Sequence, residues 1–144
     1  MGRIVKMVMI MTLILGFQAC SDSDDRVTEE PFVGSWTILG AKKDGVSSDQ
    51  WKGLRIDFKQ TDFGRGFYSL VDSPDESIWK SCGVWFKLDS IDAFRRDEMV
   101  NIIYSRTNDN LQLSFLIISN ESTCVGSVCL PVVLGQWLFD TKKN

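Results

Sequence analysis

From Pro31 onward the chain alternates apolar and polar residues in short runs separated by turn residues. Leu54-Arg55-Ile56-Asp57-Phe58-Lys59 alternates at every position, the period of a half-buried strand with Leu54, Ile56 and Phe58 turned to the core. Leu111-Gln112-Leu113-Ser114-Phe115 does the same, and its apolar run continues to Ile118. Residues 33–39, 67–71 and 99–105 are rich in β-branched and aromatic side chains and predict further strands. Residues 78–88 predict another, bent at Gly83, although Val84, Trp85 and Phe86 blur its period. Residues 130–134 and 136–140 predict the last strand or pair of strands.

The punctuation agrees with this spacing. Lys43-Asp44-Gly45, Asp72-Ser73-Pro74-Asp75 and Thr107-Asn108-Asp109-Asn110 carry turn chemistry, because Asp, Asn and Gly accept positive φ. Residues 60–66 predict a loop, 89–98 a polar turn region, and 119–129 a loop holding two cysteines. Residues 47–52 predict one helical turn, with Ser47 or Ser48 as N-cap and Trp51 tucked inward. Seven or eight closely spaced strands without a long helix predict a sandwich or a barrel. The two ends favour a barrel. Gly34-Ser35-Trp36 and Gly135-Gln136-Trp137 share a Gly-x-Trp pattern, and pairing the first strand with the last removes unprotected edges.

The first nineteen residues follow a different rule. Arg3 and Lys6 precede an uncharged apolar run from Met7 to Phe17, short for a transmembrane helix and suited to a signal-peptide core. Gly16-Phe17-Gln18-Ala19-Cys20 then switches abruptly to Ser21-Asp22-Ser23-Asp24-Asp25. This junction resembles a bacterial lipobox, with small Ala19 before Cys20 and Phe17 where leucine is commonest. The resemblance implies cleavage before Cys20, acyl chains on that residue and an outer-membrane location. Two or three acyl chains, each CH₂ contributing about 0.8 kcal/mol, hold a protein to a membrane without a spanning helix. The rival is ordinary signal-peptidase cleavage after Ala19, which bulky Phe17 disfavours. The expected organisation is a signal peptide over 1–19, an acylated Cys20 and acidic tether over 20–30, and one domain over 31–144.

Charge supports the tether and excludes one class of partner. Without Arg3 and Lys6 the sixteen basic residues become fourteen against nineteen acidic, a net of −5. Five acidic residues and Arg26 give residues 21–30 a local −4, so the tether should be extended and self-repelling. About −1 remains for the domain, with no basic patch for phosphates, so nucleic acid is not an expected partner. The Ser and Asp run after Cys20 resembles the surface-export signal of Bacteroidota lipoproteins, which implies possible exposure at the cell surface.

The domain also resembles a family. Gly34-x-Trp36 is similar to the opening strand of lipocalins, where the tryptophan plugs the closed end of an eight-stranded barrel. Trp79, Ser81-Cys82-Gly83-Val84-Trp85, Arg96-Asp97, Leu111 to Phe115, and Gly135, Trp137 and Phe139 resemble the lipocalin-like lipoproteins of Bacteroidota. Cys82 interrupts their usual Ser-Gly pair, and the Thr-Asp-Tyr signature of lipocalins is missing. The resemblance implies an all-β, small antiparallel up-and-down barrel of about eight strands on a lipid anchor.

Candidate chemistry is sparse. The chain has no histidine, which removes Ser-His-Asp and Cys-His catalysis and the commonest metal ligand. The carboxylate pairs Asp75-Glu76 and Asp97-Glu98 are expected on the solvated surface. Cys124 and Cys129 flank Gly126 and are the leading disulfide candidate in an exported protein, with a bridge to Cys82 as the alternative and Cys82 otherwise a buried thiol. Asp89-Ser90-Ile91 resembles an O-glycosylation sequence of Bacteroidota. Trp36, Phe58, Trp85, Tyr104, Phe115 and Trp137 either fill a small barrel or line a cup for an apolar or sugar-like ligand. The expected protein is a non-catalytic binding module without cofactor or metal, joined to the membrane through Cys20. The alternative is an interaction subunit of an envelope complex, which a packed interior would favour.

Overall fold

The computed structural model describes residues 28–97 and 99–144. Within them one antiparallel sheet comprises β1 (Gly34–Lys43), β2 (Val46–Ser48), β3 (Arg55–Asp62), β4 (Arg65–Leu70), β5 (Cys82–Leu88), β6 (Ala93–Arg96), β7 (Val100–Thr107), β8 (Asn110–Val125) and β9 (Val128–Lys143). Sequential strands are neighbours, and β1 also pairs with β9, so eight of them close into an up-and-down lipocalin-like barrel. Short β2 lies along the far half of β1, with Lys43 opposite Val46, beyond the stretch where β3 pairs.

First and last strands pair as expected, but the two Gly-x-Trp patterns do not meet. In the antiparallel register Trp36 faces Lys143 and Lys43 faces Trp137, which sends the motifs to opposite ends of the barrel. Gly135, at φ 151°, lets residues 130–134 and 136–140 run on as one strand.

Other departures have local causes. The expected 60–66 loop shrinks to Phe63 and Gly64, because Gly64 takes φ 68° and closes a tight hairpin. Residues 78–81 leave the strand: Ile78 and Trp79 donate backbone N–H bonds to the Asp75 carbonyl, a turn that drives Trp79 into the barrel. The polar 89–98 region contains β6, whose flanking charges hide the buried Ala93 and Phe94. Most of the expected 119–129 loop is strand, since β8 and β9 run on together to the turn at Gly126, φ 65°. Trp51 is buried from the single helical turn Asp49–Trp51, and Ser48 precedes it without a side-chain capping bond.

The connections sort the barrel into two ends. The β3–β4, β5–β6 and β7–β8 turns, the start of β1 and the end of β9 lie at one, which we call the closed end. The β2 excursion, the 71–81 loop, the β6–β7 turn and the projecting β8–β9 hairpin lie at the other, the mouth.

Candidate functional site

The six aromatic candidates all lie inside the barrel, between 0% and 6% exposed, and they divide between its ends. Trp36, Phe58, Trp85 and Tyr104 belong to the closed end. Phe32, from the segment preceding β1, inserts among them, with ring centroids 5.5 Å from Phe58, 4.8 Å from Trp85, 4.3 Å from Phe94 and 5.0 Å from Tyr104. The Phe32 carbonyl accepts the Trp36 Nε1–H bond at 2.8 Å, which ties plug to strand. Phe115 and Trp137 belong to the mouth half, where Trp79 lies 5.3 Å from Phe115 and Trp51 lies 5.7 Å from Trp137. These rings pack against one another and against residues delivered from outside the strands. Of the two roles open to them, they fill the barrel, together with Phe32, Trp51 and Trp79.

Space appears instead at the mouth. A cleft of about 420 Å³ is bounded by three segments: Glu76, Ser77 and Lys80 of the 71–81 loop, Arg96, Asp97 and Met99 around the β6–β7 turn, and Ile117, Ile118, Ser119 and Leu134 at the root of the hairpin. Met99, Ile118 and Leu134 are exposed apolar side chains, so the cleft has an apolar wall.

Arg96 is the chemically distinctive member. Its side chain is only 5% exposed and its guanidinium lies 4.5 Å from the Trp79 ring centroid and 5.9 Å from that of Phe115. Its Nε and Nη1 have no hydrogen-bond partner among the described residues. Nε is 3.7 Å from Asp97 Oδ2, an ion-pair distance too long for a hydrogen bond. Burial pulls the Arg96 pKa below the usual guanidinium value, partly offset by neighbouring Tyr68 and Asp97. The Asp97 carboxylate is committed elsewhere, accepting from Tyr68 OH at 2.5 Å and from the Val84 backbone N–H at 3.0 Å. Burial and that bond to Asp97 push the Tyr68 phenol far above its ordinary range. Three further buried donors without partners among the described residues, Nε1 of Trp51, Trp79 and Trp137, belong to the same half of the barrel.

The carboxylates expected on the solvated surface are therefore partly structural. Asp97, at φ 51°, clamps β4 to β5, and Glu76 receives the Ser81 backbone N–H at 3.0 Å and the Ser81 hydroxyl. Those two bonds hold the Glu76 carboxyl below the usual range. Asp75 accepts from Ser77 N–H at 2.9 Å and from the Ser77 hydroxyl at 2.5 Å. Cys124 and Cys129 are joined in a disulfide near the hairpin tip. Cys82, expected to be buried, is an exposed free thiol at the start of β5. Asp89, Ser90 and Ile91 form an exposed turn at the closed end. Cys20, Glu98 and the expected signal peptide lie outside the described residues.

Arg96 is the residue that strand reading passed over. Counting by two from Phe94 places it on the inward face, but Arg95-Arg96-Asp97 reads as a solvated turn. Compared with models of known protein families, with curated proteins and with solved structures, the chain matches none of them.

Proposed function

We propose that this chain is a lipid-anchored envelope lipoprotein related to the lipocalin-like lipoproteins of Bacteroidota, and that its barrel is a non-catalytic binding module working at the mouth. The observation that carries this reading is the division of the barrel. The interior is filled from both ends by aromatic side chains, and a cleft of about 420 Å³ opens where the 71–81 loop, the β6–β7 turn and the hairpin root converge. A volume of this size falls in the range of small-molecule sites.

The anchor gives the module a direction. Thr28 and Glu30 reach the barrel at the closed end through Gln60, and Glu30 pairs with Lys87 Nζ at 3.0 Å. A tether running back to an acylated Cys20 would leave from that end and turn the mouth away from the membrane. Two outcomes test the reading. Cys20→Ala should release the protein from the membrane fraction, and Leu134→Trp, which fills the cleft, should abolish binding of small amphipathic probes. Continued membrane attachment of the alanine variant, or probe binding indifferent to Leu134→Trp, would count against it.

A second reading keeps the anchor and replaces the small ligand with a protein partner. Exposed Leu116, Ile118, Val125, Val128 and Val133 on the projecting hairpin favour it. Replacement of Leu116, Val125, Val128 and Val133 by serine, which spares the cleft-lining Ile118, should then abolish co-purification of a defined envelope protein while leaving probe binding intact.

A further inference from the structure

We propose that the mouth cleft selects a small amphipathic anion, whose carboxylate or similar group meets Arg96 while its apolar body lies along Met99, Ile117 and Leu134. This inference rests on the mouth reading above and specifies the chemistry of its ligand.

The case begins with what a guanidinium needs. Arginine carries five N–H donors and no acceptor, and it keeps its charge at physiological pH. Burying such a group without acceptors is costly, and a protein that needed only packing would fill the place with a hydrophobe. Arg96 lies under both conditions: its side chain is 5% exposed, and its Nε and Nη1 are unpartnered. Its charge lies over the Trp79 ring at 4.5 Å, a cation–π contact that holds the guanidinium in place without providing an acceptor for Nε or Nη1.

Among the described residues, neighbouring carboxylates supply no hydrogen bond to Nε or Nη1. Asp97 is turned to Tyr68 and Val84, and Glu76 to Ser81. Lys80 adds a second cation to the cleft lining. An incoming oxyanion would find donors waiting on Arg96 and a cation at the rim. The rest of the lining includes apolar side chains: Ile117 is buried at the hairpin root, and Leu134 and Met99 are about half and two-thirds exposed, at 49% and 68%. Buried cationic donors beside hydrocarbon in one cleft match a molecule with an anionic head and a short apolar body.

The chain offers a convenient reporter. It has five methionines, four of them before residue 12, so Met99 is the one methyl-thioether in the barrel. Full-length protein carrying ¹³C-methyl methionine would be titrated with 4-phenylbutyrate, 4-phenylbutanol and 4-phenylbutylamine, with Met99→Leu identifying the resonance. The expected result is that the butyrate shifts the Met99 signal with at least about tenfold higher affinity than the alcohol, a difference suited to one charge-assisted contact. The amine should be weakest. Arg96→Gln should erase the preference for butyrate, and because that variant disturbs a buried site, the ranking of the three probes on the unaltered protein stands as the independent test.

Equal binding of butyrate and alcohol, both blocked by Leu134→Trp, would overturn the anion inference and leave the mouth reading standing. Tighter binding of the amine would overturn the inference outright. No shift of Met99 with any probe, or shifts that survive Leu134→Trp, would overturn both.

Discussion

The two ends of the barrel each hold an arginine over a tryptophan, and they treat it in opposite ways. At the closed end Arg106 lies 5.5 Å from the Trp36 ring centroid, is exposed, and donates to the carbonyls of Pro31 and Asn108 at 2.6 and 3.1 Å. At the mouth Arg96 lies closer to its ring, is buried, and leaves two of its nitrogens without acceptors. The indoles follow the same division. Trp36 and Trp85 donate to the carbonyls of Phe32 and Phe67, whereas Trp51, Trp79 and Trp137 find no acceptor among the described residues. One end is complete by itself and the other is built with donors to spare. Because satisfied buried polar groups are the rule in folded proteins, the unsatisfied end is where a ligand has something to contribute.

The largest effect should come from breaking the closed end. Phe32→Ala removes a fully buried ring from among four others and is expected to destabilise the barrel by about 3–5 kcal/mol in urea unfolding, with probe affinity of the folded protein unchanged. A matching loss of affinity would show that the two ends are not independent.

Gly83→Ala comes next. A Cβ there would meet Asp97 Oδ1 at 2.1 Å and Tyr68 OH at 2.6 Å, so the glycine exists for close approach and not for the bend its sequence position suggests. The Tyr68–Asp97 bond would be pushed apart, at a cost of about 1–3 kcal/mol, and the Arg96 neighbourhood with it. Denaturation should show the loss, and a Gly83→Ala variant as stable as the unaltered protein would refute that cause.

Tyr68→Phe removes the hydrogen bond itself, for about 1–3 kcal/mol at neutral pH. It also changes the alkaline limb. A tyrosine whose folded pKa is raised contributes in full below its unfolded value of about 10, and that contribution falls away as pH climbs above it. Unaltered protein should therefore lose stability steeply above pH of about 10, and the phenylalanine variant less steeply. Parallel profiles would mean that another group, such as Tyr104, whose pKa burial also raises, dominates.

The arginines sharpen the comparison most economically. Arg106→Met should cost about 1–2 kcal/mol, because the Pro31 carbonyl and the stacking contact lose their partner. Arg96→Met should be close to neutral, within about 1 kcal/mol, because Asp97 keeps both of its strongest bonds. Chemical denaturation of the two variants checks this directly. A large loss at Arg96 would make it a structural residue. The smallest effect belongs to the hairpin tip. Reducing Cys124–Cys129 should loosen amide exchange near Gly126 and leave the barrel midpoint unmoved, since the tip projects beyond the closed strands.

How much of this could be seen in the residues differs by feature. The alternation at Leu54 to Lys59 and Leu111 to Phe115 placed Ile56, Phe58, Leu113 and Phe115 inside, because period two needs no knowledge of neighbours. Barrel closure was legible from the two ends, but not the register that separates their Gly-x-Trp patterns, which depends on strand lengths the turns do not state. Phe32 and Trp79 were invisible as plugs, since each sits outside a strand and owes its burial to the tertiary fold. Arg96 was hidden among charges. Its inward side follows from Phe94, but nothing local tells that Trp79 comes from seventeen residues upstream to lie beneath it.

The most direct test of the two-ended account is the ¹H–¹⁵N indole spectrum of the full chain, which holds five tryptophans. On addition of 4-phenylbutyrate the Trp79 indole signal, beneath Arg96, should move while those of Trp36 and Trp85 stay fixed. Movement of Trp36 or Trp85 with Trp79 unchanged would put the site inside the closed half and contradict the account.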